Sequence, residues 1–129
     1  MSGASNNQGR AYEFACLTSL YEAISMIRPA RIIYNTSYKA AENAWNTLSP
    51  MEQNLYTLSA KSTIGTIFAL EPNIIENTPD ILSLYIQTDH RGEEADVRDI
   101  IIERKDIVWE IGLSIKHNHM AVKHSRIAK

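Results

Sequence analysis

Apolar residues in the first half of the chain recur every third or fourth position, which is the spacing of helices with one buried face. The first run ends at Arg28–Pro29, because a residue that precedes proline avoids helical backbone angles. A second, shorter run carries Ala44, Trp45 and Leu48 on one face. We therefore predict two helices, the first with apolar positions at Phe14, Leu17, Leu20, Tyr21, Ile24 and Ile27.

The segment Ser49–Glu52 has the pattern of a third helix start. Ser49 can cap the helix, Pro50 has no N–H to leave unpaired, and Glu52 can reach back to the backbone of Ser49. Apolar residues continue at helical spacing as far as Glu71–Pro72, where we expect the helix to end.

The second half of the chain changes to the pattern of β-strands. Three apolar runs, at 81–86, 97–102 and 107–115, are separated by polar segments with turn residues. Helices followed by consecutive strands predict an α+β fold, with N-terminal helices before a three-stranded antiparallel meander. We divide this single domain into a helical part at 1–76, the meander at 80–116 and a basic segment at 117–129 that could start another helix.

Composition places the chain among small globular domains. Its 129 residues, 44% of them hydrophobic and 22% charged, can form one core and exclude a disordered chain or a disulfide scaffold. The single cysteine, Cys16, excludes an intrachain disulfide and favours a reducing compartment, so we expect a cytoplasmic protein. No apolar run approaches the roughly 20 residues that cross a membrane, and we expect no membrane partner.

Charge is distributed unevenly along the chain. The net charge of −2 argues against a nucleic-acid-binding protein when it is taken alone. The segment 116–129 nevertheless carries four basic residues, three histidines and no acid, while 1–115 has a net charge of −6. A basic end of this kind can contact a phosphate backbone, although a solvated terminus is the more common explanation.

Two carboxylates and a lysine meet in the predicted hairpin of the second and third strands. Asp96 and Asp99 lie at the start of one strand, and Ser114 and Lys116 lie at the end of the other. Pairing of residues whose numbers sum to about 211 would bring Asp96 near Ser114 or Lys116 and Asp99 near Gly112, with an uncertainty of a residue or two. Carboxylates are suitable ligands for Mg²⁺, and a lysine beside the ion can assist phosphodiester cleavage. The alternative is an ordinary salt-bridged hairpin end.

Several stretches of sequence resemble a known family. The segment 8–13 reads QGRAYE, and later segments read DVRDIII at 96–102, WEIGLSIKHNH at 109–119 and AVKHSR at 121–126. These stretches resemble the HaeIII-type restriction endonucleases of the PD-(D/E)xK nuclease superfamily. The superfamily core contains a helix, a three-stranded antiparallel meander, a helix and a further strand, in agreement with the predicted order.

The resemblance implies a type II restriction endonuclease of a restriction–modification system. Such an enzyme cuts double-stranded DNA at a short palindrome, GGCC for the named type, with Mg²⁺. We expect a homodimer in the full-length enzyme, because two-fold protein symmetry matches a palindromic site. By position, Asp99 or Asp96 would be the metal-binding aspartate, Lys116 the signature lysine and Glu13 an auxiliary metal or water ligand.

One position departs from the family pattern. The residue two before the lysine is usually acidic, and here it is Ser114, so the second metal carboxylate must come from elsewhere. Glu110 lies roughly 20 Å from Lys116 by strand rise and is too far away. Since restriction enzymes of this kind are longer, we expect this chain to be an N-terminal fragment with an incomplete core.

The basic segment contains the candidate DNA contacts. Among these, Arg126 is the candidate guanine reader, because arginine commonly binds guanine in the major groove. The full set is His117, Asn118, His119, Lys123, His124, Ser125 and Arg126.

Other suggestive residues have simpler explanations. Pro79–Asp80 matches the superfamily's signature dipeptide but precedes the first strand, where a turn is the better interpretation. The letters of His117–Asn118–His119 do not establish a metal-dependent nuclease motif or a zinc site. Cys16 lies among apolar neighbours and is expected in the core. The helical aromatics could stack on bases but are expected in the core, and they are Tyr12, Tyr21, Tyr34, Tyr38, Trp45 and Tyr56.

Three functions remain open at this point. The first is a Mg²⁺-dependent DNA endonuclease, with Asp99, Asp96 and Glu13 as metal ligands and Lys116 assisting the attacking water. The second is a non-catalytic remnant or subunit that binds DNA or a partner chain. The third is a small α+β interaction module without a nucleic-acid role.

Overall fold

The chain was analysed as a computed structural model that describes residues 3–88, 99–104, 109–116 and 119–126. Three helices come first, with one short strand between the first two and a 3-10 turn after the third. These elements are α1 (Gly3–Ser25), β1 (Ala30–Ile32), α2 (Thr36–Trp45), α3 (Pro50–Leu70) and the turn Pro72–Ile75. The remaining strands are β2 (Leu82–Ile86), β3 (Ile100–Arg104), β4 (Glu110–Lys116) and β5 (His119–Arg126). The α+β prediction is confirmed.

The third helix begins with the predicted capping box. The Ser49 hydroxyl accepts a hydrogen bond from the Glu52 N–H at 3.2 Å, and the Glu52 carboxylate accepts one from the Ser49 N–H at 2.9 Å. Pro50 occupies the first turn, where its missing N–H costs nothing. The helix ends at Leu70, directly before the predicted stop.

The five strands form one sheet in chain order, β1-β2-β3-β4-β5. β1 runs parallel to β2, and every later pair is antiparallel. The predicted meander is therefore present as β2, β3 and β4, but it is the centre of a larger mixed sheet.

Two strands were not predicted. β1 has only three residues and lies inside the part assigned to helices, because its pairing partner β2 is about fifty positions away and no local period marks it. The segment after Lys116, which was expected to start a helix, forms β5 instead. β4 supplies its backbone partners, so inter-strand hydrogen bonding outweighs the weak local preference of a polar sequence.

The pairing of β3 with β4 differs from the expected register by two residues. Ile101 lies opposite Gly112, and Glu103 lies opposite Glu110. Asp99 is therefore not next to Gly112, as the sequence suggested, but close to Ser114. A shift of two residues leaves every side chain on its predicted face, because side chains alternate between the two faces of a sheet. A shift of one residue would have moved every side chain of the strand to the opposite face.

One face of the sheet packs against the helices. Opposite positions Leu84, Ile102 and Ile111 place apolar side chains in one row across three strands. The helices complete this core mainly from α1 and α3. The core includes Cys16, Leu17, Leu20, Ile24, Ile64, Ile67, Ile86, Ile100, Leu113 and Met120.

Asp80 joins two arginines at one end of the sheet. It lies in the bend before β2, in agreement with the predicted turn at Pro79–Asp80. Its carboxylate accepts hydrogen bonds from Arg28 at 2.9 Å and from the Nε of Arg104 at 2.8 Å. The Arg28 side chain is fully buried, and Asp80 is nearly so. The signature-like dipeptide is therefore part of a structural ion cluster.

Within the part of the chain that the structure describes, no helix is both long and apolar enough to cross a membrane.

Candidate active site

The candidate site lies at the end of the sheet opposite Asp80. Here β1, β2 and β4 end, while β3 begins directly after Asp99. The Asp99 N–H donates to the Leu113 carbonyl at 2.7 Å, and its carboxylate accepts from the Ile115 N–H at 2.7 Å. The two bonds hold Asp99 beside Ser114 on the neighbouring strand. Its carbonyl also accepts from the Gln87 N–H at 2.9 Å, which connects the site to the end of β2.

Ser114 and Lys116 occupy the last part of β4. Ser114 is partly buried and pairs with Ala121, and Lys116 pairs with His119 at the start of β5. Asp99 therefore lies opposite Ser114 in the register of β3 and β4, two positions from Lys116, which was predicted as the signature lysine. The predicted convergence of Asp99, Ser114 and Lys116 at one end of the hairpin agrees with these backbone positions.

Helix α1 brings a second carboxylate toward Asp99. Glu13 is partly buried and lies one turn before Cys16, which is fully buried. The pKa of the Cys16 thiol is raised to about 12, mainly by burial, and the negative charges of Glu13 and Asp99 contribute to this rise. Both carboxylates are therefore close enough to Cys16 to act on the same thiol.

The donors around this region suit a hard cation. Carboxylate oxygens are preferred by Mg²⁺, which keeps several waters and needs only one or two protein carboxylates. Among the described residues no group of three or more His, Cys, Asp or Glu side chains could hold a metal ion. The described carboxylates that were predicted as ligands are Glu13 and Asp99. The carboxylates of Glu13 and Asp99 are thus of the chemical type that Mg²⁺ prefers.

Several predicted residues lie outside the described part of the chain. They are Asp96, His117 and Asn118. Their places relative to Asp99 and Lys116 stay predictions.

The other candidate DNA contacts are spread along β5. His119 starts the strand beside Lys116, whereas Arg126 pairs with Glu110 at the far end of β4. Because β5 runs antiparallel to β4, the positions of Lys123, His124 and Ser125 lead away from the candidate site. The structure therefore brings one end of this segment to the site and separates the other by roughly 20 Å of strand rise.

Sequence reasoning missed the contribution of Asn35. Its side-chain amide donates to the Ile86 carbonyl at 2.9 Å, and its side-chain oxygen caps α2 by accepting from the Tyr38 N–H at 2.8 Å. These bonds fix the start of α2 to the same end of the sheet as Asp99. An asparagine directly before a helical run was the available signal.

Sequence similarity to known proteins identifies the family of this chain. The HaeIII restriction endonuclease family model matches residues 9–129. The type II restriction enzyme HaeIII of Haemophilus aegyptius is 50% identical over 128 residues, which is 99% of this chain and 40% of that relative. The chain thus spans about two fifths of the relative's length. No solved structure matches. The match over nearly the whole chain shows that it belongs to the HaeIII restriction endonuclease family.

Proposed function

We propose that this chain carries the catalytic centre of a Mg²⁺-dependent type II restriction endonuclease, a nuclease of a restriction–modification system that cleaves double-stranded DNA at a short palindrome. The observation that carries the proposal is the position of Asp99. Its carboxylate is bonded to the backbone directly before Lys116, and it acts on the same buried thiol as Glu13. Family membership supports the same chemistry.

Glu13 and Asp99 would hold the Mg²⁺ ion, and Asp96 is a further candidate ligand. When bound, the ion supplies positive charge that offsets the negative charge developing on the cleaving phosphodiester. The Ile115 N–H keeps one Asp99 oxygen oriented, which reduces the reorganisation needed when a ligand binds. Lys116 would orient the attacking water or stabilise the phosphorus centre, and Ser114 would take part as a neutral hydrogen-bonding group.

The basic strand β5 and the two residues before it would contact DNA. His117, Asn118 and His119 adjoin Lys116 in sequence and would bind phosphates near the cleaved bond. Arg126 pairs with Glu110 at the opposite end of β4. It would therefore read a base or bind a phosphate farther along the duplex. In the sheet formed by the described residues this strand is at an edge, which favours access for a large ligand.

The remaining family properties are proposals for the whole protein. A homodimer would match the two-fold symmetry of a palindromic site, because each protomer then meets the same half-site. GGCC is the first recognition sequence to test. A cytoplasmic location would place the enzyme with its DNA substrate.

Cleavage of plasmid DNA in Mg²⁺ tests the catalytic assignment. We expect discrete fragments from the purified chain and a loss of at least about a hundredfold in rate for Lys116→Ala and Glu13→Gln. Glu22→Gln is the matched control, because Glu22 is exposed on the same helix. Undiminished cleavage by Lys116→Ala would contradict the proposal. DNA binding without cutting in any variant would favour a non-catalytic DNA-binding part.

Metal binding can be measured separately from cleavage. Mn²⁺ accepts the same oxygen ligands as Mg²⁺ and is detected by electron paramagnetic resonance. Glu13→Gln and Asp99→Asn should each weaken Mn²⁺ binding, while Glu22→Gln should leave it unchanged. Equal Mn²⁺ affinity in all these proteins would remove Glu13 and Asp99 as ligands.

A further inference from the structure

A cavity of about 870 Å³ lies against the beginning of α2. Tyr34, just before the helix, is 72% exposed, although aromatic residues of this region were expected in the core. An exposed ring beside a cavity of this size can take up a planar ligand. The lining residues in the described part of the chain are Tyr34, Asn35, Thr36, Tyr38, Lys39 and Glu42.

The Tyr34 ring is supported by other aromatic side chains. Its centroid lies 4.8 Å from that of Tyr38, with the ring planes at 82°. Tyr38 in turn lies 5.6 Å from Phe14, and Phe14 lies 5.4 Å from Trp45. This packing anchors Tyr34 to α1 and α2, so a ligand that stacks on it costs little additional side-chain entropy.

The cavity and the candidate active site lie at the same end of the sheet. Asn35, in the cavity wall, donates to the Ile86 carbonyl, and the next residue, Gln87, donates to the Asp99 carbonyl. A second connection runs through the aromatic packing, because Phe14 follows the candidate metal ligand Glu13 in α1. The cavity is thus linked to Asp99 through two hydrogen bonds and the single residue step from Ile86 to Gln87.

The charges in the cavity wall select the kind of ligand. The Lys39 side chain is 72% exposed, and its ammonium lies 3.6 Å from the Glu42 carboxylate. The lysine can swing to one phosphate, whereas Glu42 opposes a second anion. One exposed aromatic ring and one exposed lysine that can leave its ion pair with Glu42 suit a single nucleotide. A base within a duplex has no free face, so the nucleotide must be unpaired.

We propose that Tyr34, Tyr38 and Lys39 form a subsite for one unpaired nucleotide of the DNA bound at the candidate active site. The base stacks on Tyr34, Tyr38 supports that ring, and Lys39 binds the phosphate. That the nucleotide belongs to DNA bound at the active site rests on the proposed function. Stacking of a base on Tyr34 depends only on the residues of the cavity.

Binding of a short fluorescein-labelled single-stranded oligonucleotide tests the subsite. Anisotropy is measured in EDTA, where no cleavage occurs. Tyr34→Ala should raise the Kd about tenfold, since base–aromatic stacking is lost. Tyr34→Phe should bind with a Kd close to that of the wild type, because the aromatic ring is retained. Leu55→Ala is the control, since Leu55 is exposed on α3 away from the cavity wall. A deoxynucleoside monophosphate should compete with the oligonucleotide for the wild-type chain.

Three results decide the proposal. Equal Kd values for the wild type and Tyr34→Ala, or no binding by the wild type, would overturn the subsite. Binding that depends on Tyr34 but is equally weakened in Leu55→Ala would also overturn it, because the effect would then be general destabilisation.

The two proposals can fail separately. Cleavage that depends on Asp99 with Tyr34-independent binding refutes the subsite alone, and Tyr34-dependent binding without cleavage refutes the nuclease alone.

Discussion

The Asp99 carboxylate accepts a 2.7 Å hydrogen bond from the backbone N–H of Ile115, the residue before Lys116. The backbone N–H of the same aspartate donates to the Leu113 carbonyl, also at 2.7 Å. Asp99 thus bonds to the residues on both sides of Ser114. Its position depends on the pairing of β3 with β4, so a candidate metal ligand is held by the sheet itself.

Asp99→Asn and Asp99→Ala should separate the structural and chemical roles of this residue. Asparagine keeps an oxygen that can accept from Ile115, whereas alanine leaves that partly buried N–H without its acceptor. We expect Asp99→Ala to lower the free energy of unfolding by about 1–3 kcal/mol and Asp99→Asn by less. Both should abolish Mg²⁺-dependent cleavage. Urea denaturation and plasmid cleavage measure the two effects, and wild-type cleavage by Asp99→Asn would contradict the assignment.

Asp80→Asn should strongly destabilise the fold. Arg28 is fully buried, and the Asp80 carboxylate is its charged partner. Removing one member of a buried pair costs about 3–5 kcal/mol, because the other charge stays buried without compensation. Glu76→Gln is the control, since Glu76 is 52% exposed and its bond to Arg104 should contribute at most about 1 kcal/mol. Similar losses in both variants, measured by urea denaturation, would count against this account.

Low pH should weaken the stabilisation that the ion cluster of Asp80, Arg28 and Arg104 gives to the fold. Hydrogen bonds from Arg104 and Thr78 lower the pKa of Asp80 from 3.8 to about 2. The unfolded chain therefore takes up this proton at a higher pH than the folded chain. The contribution of Asp80 to the free energy of unfolding is complete above the pKa that this carboxyl has in the unfolded chain. It is lost as the pH falls through the pKa that the carboxyl has in the folded chain. The difference in Tm between wild type and Asp80→Asn should shrink between about pH 5 and pH 2, and a constant difference would refute this linkage.

Cys16 should be unreactive in the native protein. It is fully buried, and burial raises the pKa of its thiol to about 12, so almost no thiolate is present at neutral pH. Ellman's reagent should label the single thiol only after urea unfolds the chain. Labelling at the same rate with and without urea would show that α1 opens readily from the sheet.

Local sequence signals determined the helices and the central strands. Ser49, Pro50 and Glu52 specify the start of α3 within four residues, because capping involves only neighbouring backbone groups. The apolar periods of α1 and of β2 to β4 likewise follow from which side chains must be buried. The family-like stretches predicted that Asp99 and Lys116 lie at the same end of the hairpin, and the structure has both backbone positions at that end of β3 and β4.

Only the tertiary structure decided how distant segments pair. β1 and β5 exist because β2 and β4 offer them backbone partners, and neither strand has a strong pattern of its own. The two-residue register shift moved Asp99 from Gly112 to Ser114, while the alternation of side chains, which the sequence does determine, was preserved. The arginine pair around Asp80 and the exposed ring of Tyr34 also depend on contacts between residues far apart in the chain. Such contacts are set by the geometry of turns and by packing between elements, which a local pattern of residues does not encode.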